Sequence, residues 1–273
     1  MTKILLTGGD SFIAESLCSY LISQNHEISK PARQNLDVTN SSQLKDYLSW
    51  FKPDYVVHTA VSGDGSNKDT RQDFRNNILM TLNLLDNKDL YKKIILLDSG
   101  ASFDRGTDIF NRKEADYHSI PEDKYGSAKY FQTKLFQKNP QAINLRIFNV
   151  FGPLEKDSRF IKTTIRKCLN NEDVHIWADQ FFSFFSIQDF STLITHLINN
   201  PPKTYFDLNC CYPDYFKLSH VANMIKKLTK SKSKIFIDKE SELNYNGNGD
   251  KLYSMELNLL GMERSLREII NVG

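Results

Sequence analysis

The chain has 273 residues, 40% hydrophobic and 25% charged, with a formal net charge of +2. That length supports a full core in one large domain or two smaller ones, and the even charge argues against a nucleic-acid partner, which calls for a clear basic excess. No apolar run reaches the about 20 residues of a membrane span, and the chain enters a strand pattern without a charged n-region. Neither a membrane anchor nor a signal peptide is expected, and the protein reads as cytoplasmic.

Residues 3–7 form a short apolar run that meets Gly8-Gly9, a strand entering a glycine turn. Residues 13–24 have helical spacing, 26–30 a weak strand pattern that stops at Pro31. Helical patterns over 42–51, 73–85 and 124–137 then alternate with strands over 55–59, 93–98 and 143–148. Such alternation predicts right-handed βαβ units and a parallel sheet covered on both faces. The continuous run Ile94-Ile95-Leu96-Leu97 fits a strand buried on both sides. Beyond Gly152-Pro153 the pattern loosens. Helices are expected over 160–169, 184–199, 218–228 and 263–270, and strands over 175–177 and 234–237. Composition makes 244–250, rich in Asn and Gly, the most flexible stretch. The four cysteines, Cys18, Cys168, Cys210 and Cys211, contain no C-x-x-C pair. They read as buried or free thiols in a reducing compartment, with no metal site.

The glycine turn runs Thr7-Gly8-Gly9-Asp10-Ser11-Phe12-Ile13-Ala14. A turn of this kind presents backbone N–H groups and a helix N-terminus to a pyrophosphate. Gly8 supplies the tight turn, while Ser11 and Ala14 stand where the fingerprint has two further glycines. Asp10 is an electrostatic objection to a pyrophosphate. About 20 residues on, where an acidic residue commonly meets the ribose 2′-hydroxyl, the chain has Arg33. A guanidinium matches a 2′-phosphate, so the cofactor end favours NADP(H) over NAD(H).

Tyr125 and Lys129 lie four residues apart in a helical pattern, and therefore on one face. A phenol with a pKa of about 10 needs a neighbouring cation to take part in proton transfer near neutrality. Reduction of a ketone asks that phenol to protonate a developing alkoxide. Ser99, at the end of the 93–98 strand, supplies a hydroxyl for the substrate oxygen. Tyr130 and Lys134 repeat the spacing, but five residues rotate a helix by about 140°, so the two pairs cannot share one site. The first pair encloses Gly126, Ser127 and Ala128, small enough for a cofactor to approach; the second encloses Phe131, Gln132 and Thr133. His58 reads as a structural group at a strand end, and the aromatic run 181–185 as core.

With these motifs in order, the chain resembles the extended short-chain dehydrogenase/reductases, the nucleotide-sugar epimerase, dehydratase and reductase family, nearly end to end. The segments Leu36-Asp37-Val38-Thr39, 52–60, Asn77 with 81–85, 99–103, 145–153 and 184–189 carry the resemblance beside the glycine turn. It implies a doubly wound Rossmann sheet over 1–153, to which 182–204 returns. It also implies a smaller C-terminal α/β domain, over 154–181 and 205–273, that grips a nucleotide-diphosphate sugar. Ser99, Tyr125 and Lys129 are the implied catalytic residues. The implied cofactor contacts are Thr7, Gly8, Ser11, Phe12, Ile13, Arg33, Asp37, Thr59, Ala60, Val61, Asn77 and Lys129. Substrate contacts fall to Ser99, Tyr125, Asn149, Arg159 and Arg166, and a homodimer forms through the helix of Tyr125 and the helix before it.

Dehydratases of the family carry an Asp-Glu pair after the active-site hydroxyl residue, and here Gly100 and Ala101 follow Ser99. The epimerase/reductases that make GDP-fucose use a cysteine and a histidine where this chain has Ala101 and Arg159. Phe182 and Ser183 stand where many relatives carry an arginine. The run Ser-Gly-Ala-x-aromatic-Asp-Arg over 99–105 is similar to that of bacterial surface-polysaccharide 4-keto-sugar reductases. The expectation is NADPH-dependent reduction of a nucleotide-diphosphate 4-keto-6-deoxy sugar or heptose. A C4-epimerase that holds NAD, and a catalytically silent relative, stay open as alternatives.

Overall fold

The structure is a computed structural model that describes residues 1–65, 68–241 and 243–272. In chain order the first elements are β1 (Lys3–Thr7), α1 (Phe12–Ser23), β2 (Glu27–Ser29), α2 (Ser41–Phe51), β3 (Tyr55–His58), α3 (Arg71–Asp86) and β4 (Lys93–Ser99). A 3-10 turn (Gly100–Phe103), β5 (Ile109–Arg112), α4 (Lys124–Phe136), β6 (Ala142–Ile147), β7 (Val150–Phe151), α5 (Phe160–Leu169) and β8 (Val174–Ile176) follow. The chain ends through β9 (Phe185–Ser186), α6 (Ile187–Asn199), β10 (Phe206–Cys210), α7 (Leu218–Thr229), β11 (Ile235–Ile237), β12 (Tyr245–Gly247), α8 (Asp250–Tyr253) and α9 (Gly261–Val272).

Two compact units result. The first comprises Met1–Gly106, Ala115–Arg146 and Leu193–Leu208; the second takes Thr107–Glu114, Ile147–Thr192 and the chain from Asn209 onward. A six-stranded sheet in the order β10-β6-β4-β3-β1-β2 dominates the first. β1 pairs in parallel with both β2 and β3, and β3 with β4. β1, β3 and β4 are apolar on both faces, with Ile4, Leu5, Leu6, Val56, Val57, Ile94, Ile95 and Leu96 fully buried, as a parallel sheet covered by helices requires. Helix α2 offers Leu44, Leu48 and Phe51 along one stripe; they pack with Met80, Leu84 and Tyr91. Each such side chain contributes roughly 1.5–3 kcal/mol by leaving water. Caps fix the helix starts: Asn40 accepts from Gln43 N–H on α2, and Thr70 and Asp73 form a reciprocal capping box on α3.

The sheet order reverses direction between β1 and β3. Connections from these two strands leave to opposite sides, which opens a crevice at their C-terminal ends. This is the Rossmann arrangement that the alternating pattern implies.

The second unit holds three two-stranded parallel pairs among the described residues, β5 with β12, β7 with β9 and β8 with β11. Two sequence expectations need correction here. The stretch 184–199 is not helical throughout, because Phe185-Ser186 pairs as β9 before α6 begins. The stretch 244–250 is not a loose loop, because Tyr245–Gly247 pairs with β5. Asn246 and Asn248 are buried. Asn246 Nδ2 donates to Ser183 Oγ at 2.9 Å and Asn248 Nδ2 to Asn111 Oδ1 at 2.8 Å, so side-chain amides replace the apolar contacts a strand pattern would advertise. Among the described residues no helix is long and apolar enough to cross a membrane.

One charge cluster lies inside the first unit. Arg146 on β6 is completely buried. Its Nε is 2.9 Å from Asp98 Oδ2 on β4, and its Nη2 is 3.1 Å from Asp207 Oδ2 on β10. Nη2 also donates to the Tyr117 hydroxyl, and the guanidinium lies 4.5 Å from the Phe103 ring centroid. Replacing Arg146 with Met leaves two carboxylates facing each other without their countercharge. The expected cost is about 3–5 kcal/mol, read as a lowered urea midpoint. Arg267→Ala, which removes an exposed pair with Glu263, is the control and should move the midpoint by less than about 0.5 kcal/mol.

Candidate active site

β1 ends on Thr7, which is buried and hydrogen-bonded through Oγ1 to His58 Nδ1 at 2.9 Å. His58 is itself buried; burial, and then the Lys129 ammonium, lower its pKa to about 3 and keep the ring neutral. It is a structural group at the end of β3. The turn that follows Thr7 needs glycine. Gly8 has φ 67°, and a Cβ there would lie 2.6 Å from Ala60 Cα, so only glycine lets the turn rest against the end of β3. Ser11 then caps α1, accepting from Ala14 N–H at 3.2 Å, and its Oγ sits 3.1 Å from Thr59 Oγ1.

Above this turn lies a cavity of about 220 Å³ lined by Gly8, Asp10, Ser11, Arg33, Leu36, Asp37, Val38, Thr39, Thr59, Ala60, Val61, Ser62, Asn76 and Met80. Seven of the expected cofactor residues are in that wall: Gly8, Ser11, Arg33, Asp37, Thr59, Ala60 and Val61. Thr7, Phe12, Ile13, Asn77 and Lys129 are not in it. Asn77 is instead spent beneath it. Its amide accepts from Ser62 N–H and donates to Ser62 C=O, both at 2.9 Å, and so shapes the loop after β3. Leu36, Val38 and Thr39, from the segment around Asp37, join the wall, as do Ser62, Asn76 and Met80, which no motif marks.

At the rim of that cavity, Arg33 Nη2 stands 3.7 Å from Asp37 Oδ2, with 68% of the arginine side chain exposed. Burial alone would push the Asp37 carboxyl up. The Thr39 hydroxyl and N–H, together with Arg33, outweigh burial and hold Asp37 below the usual carboxylate range. The donor set fits a nicotinamide dinucleotide: a glycine turn at a helix N-terminus, a polar ledge and an exposed guanidinium around an apolar slot.

Ser99 and Lys129, two of the residues expected to act in proton transfer, lie at the end of β4. Ser99 is buried there, with Oγ accepting from Ala101 N–H at 3.2 Å. Lys129 on α4 is buried and donates from Nζ to Leu97 C=O at 2.6 Å. Gly126 presses α4 onto the turn after Ser99, since a Cβ there would meet Ala101 O at 2.6 Å. Leu97 and Ala101 flank Ser99, so the helix meets the chain on both sides of that residue, and Tyr125 immediately precedes Gly126. The Lys129 Nζ lies 6.0 Å from the Tyr125 ring centroid. Burial lowers the Lys129 pKa to about 8, partly offset by Asp98. The second tyrosine–lysine pair faces elsewhere: Lys134 Nζ sits 4.1 Å from the Tyr117 ring centroid and 5.3 Å from that of Tyr130.

In the second unit, Asn149 is buried, and its Oδ1 has no hydrogen-bond partner. Arg159 is exposed at the N-cap of α5. Arg166 lies two turns further along, ion-paired with Glu172 at 3.4 Å. The helix therefore separates the two arginines rather than gathering them. Within the run 181–185, Ser183, Phe184 and Phe185 are buried. Phe182 packs 5.1 Å from both Phe184 and Tyr245 between ring centroids, so the run is core. No group of three His, Cys, Asp or Glu among the described residues could hold a metal ion.

The GDP-L-colitose synthase of Yersinia pseudotuberculosis is 24% identical over 265 residues, covering 87% of this chain and 85% of that one. The crystal structure of a dTDP-4-dehydrorhamnose reductase from Clostridium acetobutylicum superposes with a TM-score of 0.83 at 20% identity, over 99% of both chains. The GDP-mannoheptose C4 reductase of Campylobacter jejuni, with NADP bound, gives 0.81 at 18% identity, over 99% of this chain and 97% of that one. The NAD dependent epimerase/dehydratase family matches residues 4–210, from β1 through β10. The chain belongs to that family, the extended short-chain dehydrogenase/reductases.

Proposed function

We propose that this protein uses NADPH to reduce the 4-keto group of a nucleotide-diphosphate 4-keto-6-deoxy sugar, or heptose, in the cytoplasm, for bacterial surface polysaccharide. The observation that carries the reading is the contact of α4 with the chain on both sides of Ser99, at Leu97 through Lys129 and at Ala101 through Gly126; Tyr125, one turn before Lys129 on that helix, is read as the phenol that serves the same strand end. The residues after Ser99 favour reduction over its alternatives. Gly100 and Ala101 are buried and bear no acid for dehydration and no thiol for epimerisation beside the carbonyl. Two of the structural likenesses bear names for reduction at C4 or of a 4-dehydro sugar.

The nicotinamide cofactor supplies the hydride. Ser99 Oγ donates to the substrate carbonyl oxygen, and the Tyr125 hydroxyl gives that oxygen a proton as it gains charge. Lys129 stabilises the phenolate left behind by Coulomb attraction and reaches the ribose hydroxyls. The cavity beside Gly8 takes the adenosine half of the cofactor, with Arg33 at the 2′-phosphate. Asn149 and Arg159 are the assigned nucleotide-sugar contacts in the second unit. Leu79 and Leu82 on α3 and Phe131 and Leu135 on α4 remain exposed; they are assigned to the face of a homodimer.

Purified protein offered NADPH or NADH with 4-keto-6-deoxy sugars on GDP, dTDP, CDP and UDP should oxidise NADPH with one of them. No oxidation with any, but NAD released on denaturation, would replace the reductase by a C4-epimerase. Tyr125→Phe should cut kcat by about 10²–10⁴-fold while the cofactor Kd stays within about twofold by fluorescence titration. Arg33→Ala should weaken NADPH binding by about 10-fold or more, the worth of a charge-assisted pair, and leave NADH binding nearly unchanged. Equal loss for both cofactors would remove Arg33 from the 2′-phosphate site.

A further inference from the structure

A second cation lies close to the Tyr125 phenol. Asp104 turns the chain with φ 73° and is held by donors from Gly106 N–H at 3.1 Å and Ser119 Oγ at 2.8 Å. This turn delivers Arg105 to the start of α4. Arg105 forks onto Asp123, Nη2 to Oδ1 at 2.7 Å and Nε to Oδ2 at 3.3 Å. Its Nη1 donates to Gly65 C=O at 2.8 Å, in the loop that gives Val61 and Ser62 to the cofactor cavity. The guanidinium carbon is 5.8 Å from the Tyr125 ring centroid. From the other direction, a Cβ on Gly65 would stand 3.5 Å from Tyr125 Cζ. Asp123 is also the N-cap of α4, accepting from Gly126 N–H at 2.8 Å.

We propose that Arg105 is a positioning residue for Tyr125: one guanidinium ties the cap of the catalytic helix to the cofactor loop and, with Asp123, sets the charge balance at the phenol. The proposal rests on the reading of Tyr125 as proton donor. The ring meets Lys129 from its own helix, Arg105 from the turn after β4 and Gly65 from the loop after β3. Those neighbouring segments also carry Asp104, Asp123, Asp64 and Asp69. Arg105 and Asp123 neutralise each other, so the bridge holds the ring in place while adding little net charge. Breaking it from either side unmasks one charge, and the sign depends on which partner is lost.

Reduction needs the phenol protonated and Lys129 charged, so activity falls as pH rises through the joint titration of that pair. Arg105→Gln leaves Asp123 uncompensated. A nearby anion holds protons on the pair, and the alkaline limb moves up. Asp123→Asn removes one negative charge and keeps the Arg105 guanidinium, and the limb moves down. Asparagine keeps the helix cap, so this variant tests charge without unwinding α4. At about 6 Å in partly solvated surroundings, each shift should be about half to one pH unit.

Two measurements read the same quantity. One is the pH profile of kcat with the keto sugar that is turned over. The other needs no substrate: the near-ultraviolet tyrosine titration of each variant, minus that of the same variant carrying Tyr125→Phe. Opposite shifts in the two variants support the proposal. Shifts in one direction, or none, overturn it, because a merely structural bridge is broken alike by both substitutions. Arg105→Lys keeps the charge and loses the fork; its limb should stay within about 0.3 pH units of wild type while kcat falls several-fold. Should Arg105→Gln not fold, Asp123→Asn decides alone, and an unmoved or raised limb overturns the proposal. Opposite spectroscopic shifts without turnover of any keto sugar would overturn the reductase reading and leave the role of Arg105 standing.

Discussion

An ammonium taken out of water must find an acceptor, and Lys129 finds the carbonyl of Leu97 near the end of β4. That bond sets the rotation of α4. With Lys129 turned inward toward the strand, the residue one turn earlier on the same face is Tyr125. Gly126 then has to face the turn after Ser99, where any side chain would strike the Ala101 carbonyl. The strand end is held from below: Asp98, next to Ser99, is pinned by Arg146. The order of dependence runs from a buried guanidinium to a strand, from the strand to a lysine, and from the lysine to a phenol.

Much of this was open to the sequence because the first unit obeys simple periodicities. Continuous apolar runs mark β1, β3 and β4, and helical stripes such as Leu44, Leu48 and Phe51 mark what covers them. The second unit is built from strands of two to four residues, too short for a period of two to rise above chance. β12 is hidden for a further reason. Its Asn246-Gly247 carries the composition of a loop, and only the three-dimensional supply of partners, Ser183 among them, makes that composition a strand.

At the site, legibility followed chemistry. Gly8, Ser11 and Arg33 are marked by what a phosphate needs, and Tyr125 and Lys129 by a spacing. The spacing occurs twice, and the small residues between Tyr125 and Lys129 distinguish the two occurrences. Leu36, Val38 and Met80 carry no such mark, because a cavity wall and a packed core use the same apolar side chains. Asn77, a polar residue in a segment that carries the resemblance, has its amide bonded to the backbone of Ser62. Arg105 belongs to a motif over 99–105 whose pattern gives no hint of the bridge it makes across three segments of chain.

Asn246 in β12 and Asn248 just after it have a chemical consequence as well as a structural one. Asn246-Gly247 and Asn248-Gly249 are the kind of dipeptide in which the following backbone nitrogen attacks the side-chain amide and ring closure releases ammonia. That attack needs a free nitrogen and a backbone able to fold over the side chain. Gly247 N–H is already committed to Ser183 Oγ at 3.1 Å, the Asn246 amide is engaged with the same hydroxyl, and both asparagines are shut away from water. The fold thus shelters its most perishable bonds, and deamidation here would report that the strand had opened.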